Sequence, residues 1–127
     1  MSTTTTTSND VIRARKAQTT ITASGAIGAN QAGEELNVAT DALVITLPKI
    51  ESSLLGMEYT VRNTGADGNN IITLAPNAAD AFHGTIANAA ADVVASGAVD
   101  KDFINTKATA NKGDFVTIKA VALTEWY

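Results

Sequence analysis

Residues 41–63 read DALVITLPKIESSLLGMEYTVRN, and the two halves of this stretch decide what kind of fold the chain can adopt. In the second half Met57, Tyr59 and Val61 alternate with Glu58, Thr60 and Arg62. A period of two sends successive side chains to opposite faces, so the segment reads as a half-buried strand with its apolar set inward. In the first half, residues 42–47 are apolar or threonine at every position. Periodicity cannot assign faces to such a run. Its shortness and the β-branched Val44, Ile45 and Thr46 nevertheless favour a strand, with Leu43, Ile45 and Leu47 as the inward set. Pro48 has no N–H to give a ladder, and its fixed φ suits the first position of a helical turn. Gly56 closes that turn. Between them KIESSLL has room for one or two turns, with Ile50, Leu54 and Leu55 folded over the end of the sheet as an apolar plug.

Toward the C-terminus, TGADGNN is rich in turn residues, and Asp67-Gly68 supplies types that tolerate positive φ. Residues 70–75 then read as a strand with Ile72 and Leu74 inward, so residues 57–75 are expected to form a β-hairpin. Residues 81–86 read as a strand with Phe82 and Ile86 inward and Gly84 at a bulge or a close backbone approach. The Ala-rich residues 88–97 read as an excursion between strands. Residues 102–108 supply Phe103 or Ile104 to the core, and Asn111-Lys112-Gly113-Asp114 is a turn. Residues 115–122 are a long strand with Val116, Ile118 and Ala120 on one face. Toward the N-terminus, Leu36 and Val38 mark a short strand. Before it, QTTITAS at residues 18–24 reads as a first strand, ended by Gly25, Gly28 and Gly33 in a loop. Strand signals recur about every ten residues, the spacing of a β-sandwich or barrel rather than of βαβ units.

At 127 residues the chain is expected to be one domain with a core large enough to need no staples. It has no cysteine, which removes disulfides, thiol chemistry and Cys-ligated zinc. The formal charge of −4 argues against general nucleic-acid binding, because phosphate contacts need a positive surface. The charge is uneven: Arg13, Arg15 and Lys16 face only Asp10 in residues 1–17, leaving six basic and twelve acidic residues in the remainder. Residues 1–9 are a Thr/Ser tract that cannot bury enough to offset the entropy of ordering it. Residues 1–17 are therefore expected to be a flexible basic arm, able to lie extended along a partner's sheet edge, and residues 18–127 the folded β domain. No apolar run reaches the length of a membrane span, and the N-terminus lacks the basic start and apolar core of a secretory signal. Synthesis in the cytosol, without membrane association, is the expectation.

Chemistry is sparse. His83 is the single histidine, which excludes a multi-His metal site and leaves no Ser/His or Cys/His pair in motif form. Asp100 and Asp102 have i, i+2 spacing, yet nothing near them completes an EF-hand pattern, so they read as a solvated acidic face. Gly25, Gly28 and Gly33 do not have dinucleotide-binding spacing and read as turn glycines. Trp126 and Tyr127 suit either the core or a subunit contact, where aromatics are enriched. No catalytic residue, metal or cofactor is expected.

Taken in order, ALVITLP, a short plug ending in glycine, YTVRNTG, IITLAP, DAFHGTI and NKGDFVTIKAVALTEWY resemble the pattern of small β modules in the virions of tailed phages. Such modules decorate or cement capsids, or form knobs on fibres. The matching positions are 45–48, 56–63, 71–76, 80–84 and 113–126, leaving the N-terminal third unmatched. The resemblance implies an all-β fold, an antiparallel β-sandwich of jelly-roll-like or β-tulip-like type with an extended N-terminal arm, usually trimeric and without catalysis. It implies a structural virion protein, a head decoration or cement protein on the outer capsid surface, with the major capsid protein and copies of itself as partners. Thr3, Thr4, Thr5, Thr6, Thr7, Ile12, Arg13, Arg15 and Lys16 then form the capsid-binding arm, and Trp126 and Tyr127 a possible interface of the homotrimer. The alternative is a tail-fibre or fibre-tip module that binds a host receptor or glycan. Fibre members carry a long coiled coil or repeat stalk, whereas this arm is short. Sugar sites also need exposed aromatics, which make up only 5% of residues.

Overall fold

Short β-branched runs separated by glycine and asparagine turns give a chain that is mostly strand in the computed structural model, which describes residues 16–86 and 93–127. The strands are β1 (Gln18–Ile21), β2 (Gly25–Ala26), β3 (Glu35–Val38), β4 (Leu43–Thr46), β5 (Glu58–Asn63), β6 (Ile72–Ala75), β7 (Ala81–Ile86), β8 (Val93–Val99), β9 (Phe103–Asn105), β10 (Phe115–Ala122) and β11 (Glu125–Trp126). Among the described residues they form a seven-stranded sheet, ordered β1-β3-β5-β10-β11-β7-β8, and a four-stranded sheet, ordered β2-β4-β6-β9.

The all-β expectation holds, but the antiparallel one does not. From β1 to β6 the chain alternates between the sheets, and within each sheet the successive strands run parallel: β1 with β3 and β3 with β5, β2 with β4 and β4 with β6. A parallel pair needs a crossover connection, and here each crossover passes through the other sheet. β11 and β7 are parallel as well. Among the described residues, antiparallel pairing is confined to β5 with β10, β10 with β11, β6 with β9 and β7 with β8.

The hairpin expected over residues 57–75 is also overturned, because β5 and β6 belong to different sheets. A buried amide knot turns the chain away between them. Asn63 Oδ1 accepts from the Gly65 N–H at 3.0 Å and from Asn70 Nδ2 at 3.1 Å, while Asn63 Nδ2 donates to the Asn111 carbonyl at 2.9 Å. The Thr64 N–H donates to the Val38 carbonyl and that of Gly68 to the Ala110 carbonyl. A Cβ at Gly65 would run into the Asn70 amide, so the turn needs glycine there. Asn63→Ala leaves a buried N–H, an amide and a carbonyl short of partners, and should cost about 2–3 kcal/mol in urea unfolding. A loss under about 0.5 kcal/mol would show the knot to be incidental.

The inward sets follow the alternation. Leu43, Ile45 and Leu47 are buried, whereas Val44 between them is 40% exposed. One buried cluster combines Leu36, Val38, Tyr59, Val61, Ile118, Ala120 and Trp126 of the large sheet with Leu43, Ile45, Ile72 and Leu74 of the small one. The plug over its end is Ile50 with Leu54 half-buried; Leu55 lies outside. Asp80, fully buried, holds the plug by accepting the Ile50 N–H on Oδ2 at 3.1 Å. The Tyr59 hydroxyl donates to the Gly28 carbonyl at 2.8 Å, and burial pushes its pKa up. Phe103, not Ile104, packs on the core, and Val116 is only half-buried. Thr60 is buried although it lies on the polar phase of β5, where Lys16 and Thr117 both bond its hydroxyl.

Two segments read as loops contain strands. Gly25 begins β2, too short to show a period, and residues 93–97 of the expected excursion belong to β8. Residues 88–92 of that excursion lie outside the described residues. The irregularity expected at Gly84 falls elsewhere: Ala81 pairs with Val99 and His83 with Ser96, so two residues of β8 oppose one of β7. Gly97 takes this bulge with φ +80°, and a Cβ there would collide with the His83 imidazole.

Candidate functional site on the seven-stranded sheet

The polar phases of β1, β3, β5 and β10 meet on the outer face of the large sheet, in two cross-strand rows. Register places Gln18, Glu35, Thr60 and Thr117 side by side, and Thr20, Asn37, Arg62 and Phe115 beside them. Arg62 organises the second row. Its Nε donates to Glu35 Oε1 at 2.7 Å, its Nη1 donates to the Gly113 carbonyl at 3.0 Å, and its guanidinium carbon stands 4.6 Å above the Phe115 ring. Phe115 is 63% exposed, an aromatic ring displayed on a polar face. Asn37 Nδ2 donates to Gln18 Oε1 at 3.2 Å, and the Thr60 and Thr117 hydroxyls lie 2.9 Å apart. Arg62→Ala should free Phe115 and unpair Glu35. At these half-exposed positions the loss should be about 0.5–1.5 kcal/mol in denaturant unfolding.

Of the arm residues expected to bind a partner, only Lys16 is described; Thr3, Thr4, Thr5, Thr6, Thr7, Ile12, Arg13 and Arg15 lie outside the described residues. Lys16 reaches over the outer face and donates from Nζ to Thr60 Oγ1 at 2.9 Å. Residues 16 and 17 lead directly into β1, an edge strand of the large sheet among the described residues.

The two terminal aromatics part company. Trp126 is wholly buried, its ring 6.0 Å from that of Tyr59, and is a core residue rather than a subunit contact. The cause is the pairing of β11 between β10 and β7, which sets Trp126 beside Phe82 on the inner face. Tyr127 is 51% exposed, stacks on His83 at 5.3 Å and donates its hydroxyl to Glu125 Oε2 at 2.8 Å. That carboxylate raises the Tyr127 pKa. His83 Nε2 stands 3.8 Å from Glu125 Oε1. The trio contains no serine, threonine or cysteine.

Asp100 and Asp102 do not share a strand face, since Asp100 is in the turn after β8 with φ +57°. Among the described residues no group of three or more His, Cys, Asp or Glu side chains is placed to hold a metal ion. None of the helices described is long and apolar enough to cross a membrane.

Asp41 joins two distant segments at the start of β4. Its Oδ2 accepts from Lys107 Nζ at 2.6 Å and its Oδ1 from the Ile71 N–H at 2.8 Å. The Lys107 hydrogen bond, then that of Ile71, holds the Asp41 pKa below its ordinary value. A carboxyl depressed in the folded state contributes stability that is complete above the unfolded pKa of about 4 and is lost as pH falls through the lower folded value. Lys107→Ala should raise the Asp41 pKa toward the ordinary value in an NMR titration; an unchanged pKa would remove the assignment of cause.

No protein-family model matches the chain, and no curated protein or solved structure matches it either.

Proposed function

We propose that this protein is a structural virion protein that binds the outer surface of a phage capsid and stabilises it. The observation that supports this reading most is one of sequence order: the Thr-rich, basic residues 1–17 immediately precede β1, the edge strand of a seven-stranded sheet. An arm rooted at a sheet edge is placed to extend along another protein's strand, where the main chain supplies the bonds. The sequence likeness to phage β modules and the acidic body behind a basic arm point the same way. We infer also that the two sheets form a β-sandwich over their shared core, and that the working unit is a homotrimer. The jelly-roll or β-tulip type is not carried forward, because the first six strands run parallel within their sheets.

The full chain, mixed with capsids lacking it, should co-sediment to saturation and raise their resistance to heat or osmotic shock. Absence of binding would overturn the reading. Exposed Phe115, with Arg62 over its ring and Asn37 next along the same row, favours the second reading, a fibre-tip module binding a glycan. In that case the full chain would be retained on glycan and not on capsids, and Phe115→Ala would abolish that retention.

A further inference from the structure

We infer that the outer edge of β1 is itself a docking strand, so that the partner strand which takes the arm continues along Gln18–Ile21 and joins the partner's sheet to the seven-stranded sheet. This rests on the reading of the arm as the attachment device. The ladder to β3 opens with the Glu35 N–H donating to the Ala17 carbonyl at 2.8 Å, with Gln18 opposite Glu35 and Thr20 opposite Asn37. In a parallel ladder of that phase, Thr19 turns its N–H and carbonyl to β3, while Gln18 and Thr20 turn theirs outward. Two main-chain donors and two acceptors therefore face away from the body in regular spacing.

Natural sheets blunt such edges with short strands, bulges, proline or charge. Among the described residues the other three edges carry such devices: β2 has two residues, β9 has three, and β8 is broken by the bulge at Gly97. β1, at four residues, is the longest unbroken edge among the described residues: QTTI has no charge or proline, and its register is regular. The one lysine positioned to guard it, Lys16, is drawn off the edge onto the face by Thr60. The occupant is set by continuity. A strand of the capsid protein that pairs with the arm residues just ahead of Lys16 reaches the outward groups of Gln18 and Thr20 next. An uncharged, β-branched strand edge fits them.

The test uses shells assembled from the capsid protein alone and three forms of the full-length protein: unaltered, Thr20→Pro and Thr20→Val, together with a deletion of residues 2–15. Thr20→Pro removes an outward N–H and takes no bond from the β1–β3 ladder; Thr20→Val keeps the N–H and the strand preference. Thr20→Pro should weaken shell binding about tenfold or more, amplified if several copies are linked, and Thr20→Val should not. In the unaltered protein, hydrogen exchange over residues 16–21 should slow on shell binding, a reading that stands even if the proline variant folds poorly. If the deletion weakens binding while Thr20→Pro does not and exchange is unaltered, the edge is not a docking strand and the arm reading survives. If neither the deletion nor Thr20→Pro alters binding, both fall.

Discussion

Replacing Trp126 with alanine should destabilise the isolated protein by about 3–5 kcal/mol, the range for removing a fully buried large aromatic. Trp126 has no exposed surface and tilts at 53° against Tyr59. Its strand is also the splice of the large sheet. β11 is only two residues long, yet it joins the β10 side of the sheet to the β7 side. For a domain of this size the loss should lower the melting temperature by roughly 10 °C or more. Tyr127→Ala, by contrast, removes a half-exposed ring and should cost less than about 1 kcal/mol. Thermal denaturation of the two variants at low protein concentration separates the roles. A Trp126→Ala protein as stable as the parent but weaker in self-association would return this residue to a subunit interface.

Removing residues 2–15 should lower apparent affinity for capsid shells by about 100-fold, provided three arms of a trimer engage together. One arm binds weakly, since each main-chain bond nets only about 0.5–1.5 kcal/mol and ordering a residue costs about as much. Linked arms change this. Once one is held, the next binds at high effective concentration, and avidity multiplies a small gain without any new contact. The deletion stops short of Lys16, so the bond to Thr60 and the start of the β1–β3 ladder remain. The truncated body should melt like the parent. Full saturation and stabilisation of shells by the truncated protein would make the arm a passive terminus and move attachment to the folded body.

Most strand positions were legible in the sequence, those of β2, β8 and β11 excepted, and pairing was not. Alternation is local, so β5, β7 and β10 could be read directly, and so could the inward set of Leu43, Ile45 and Leu47. Pairing joins residues far apart. Glu35 meets Thr60 and Ile45 meets Leu74 in parallel register, and no turn signal marks a partner reached by way of a second sheet. TGADGNN read as a hairpin turn because Asp67-Gly68 suits positive φ, and Gly68 does take φ +67°. What redirected the chain was the burial of the Asn63 and Asn70 amides, which has no period to reveal it.

The candidate site was visible in part. Phe115 occupies the phase of β10 opposite Ile118 and Ala120, so its exposure was implicit in the alternation. Its partner Arg62 stood on the polar phase of β5. Their meeting depended on the β5–β10 register, which composition does not carry. Trp126 could be placed only once β11 was seen to lie between β10 and β7. The absence of a charge or proline in QTTI was readable from the start, but its meaning required knowing that β1 is an edge.

Electron microscopy of intact particles would locate the protein. Density for a two-sheet domain is expected on the outer capsid surface, repeated and grouped in threes, with each arm leaving from the β1 edge toward a capsid-protein strand. Density for the domain at a tail or fibre tip, with bare capsid faces, would contradict that placement.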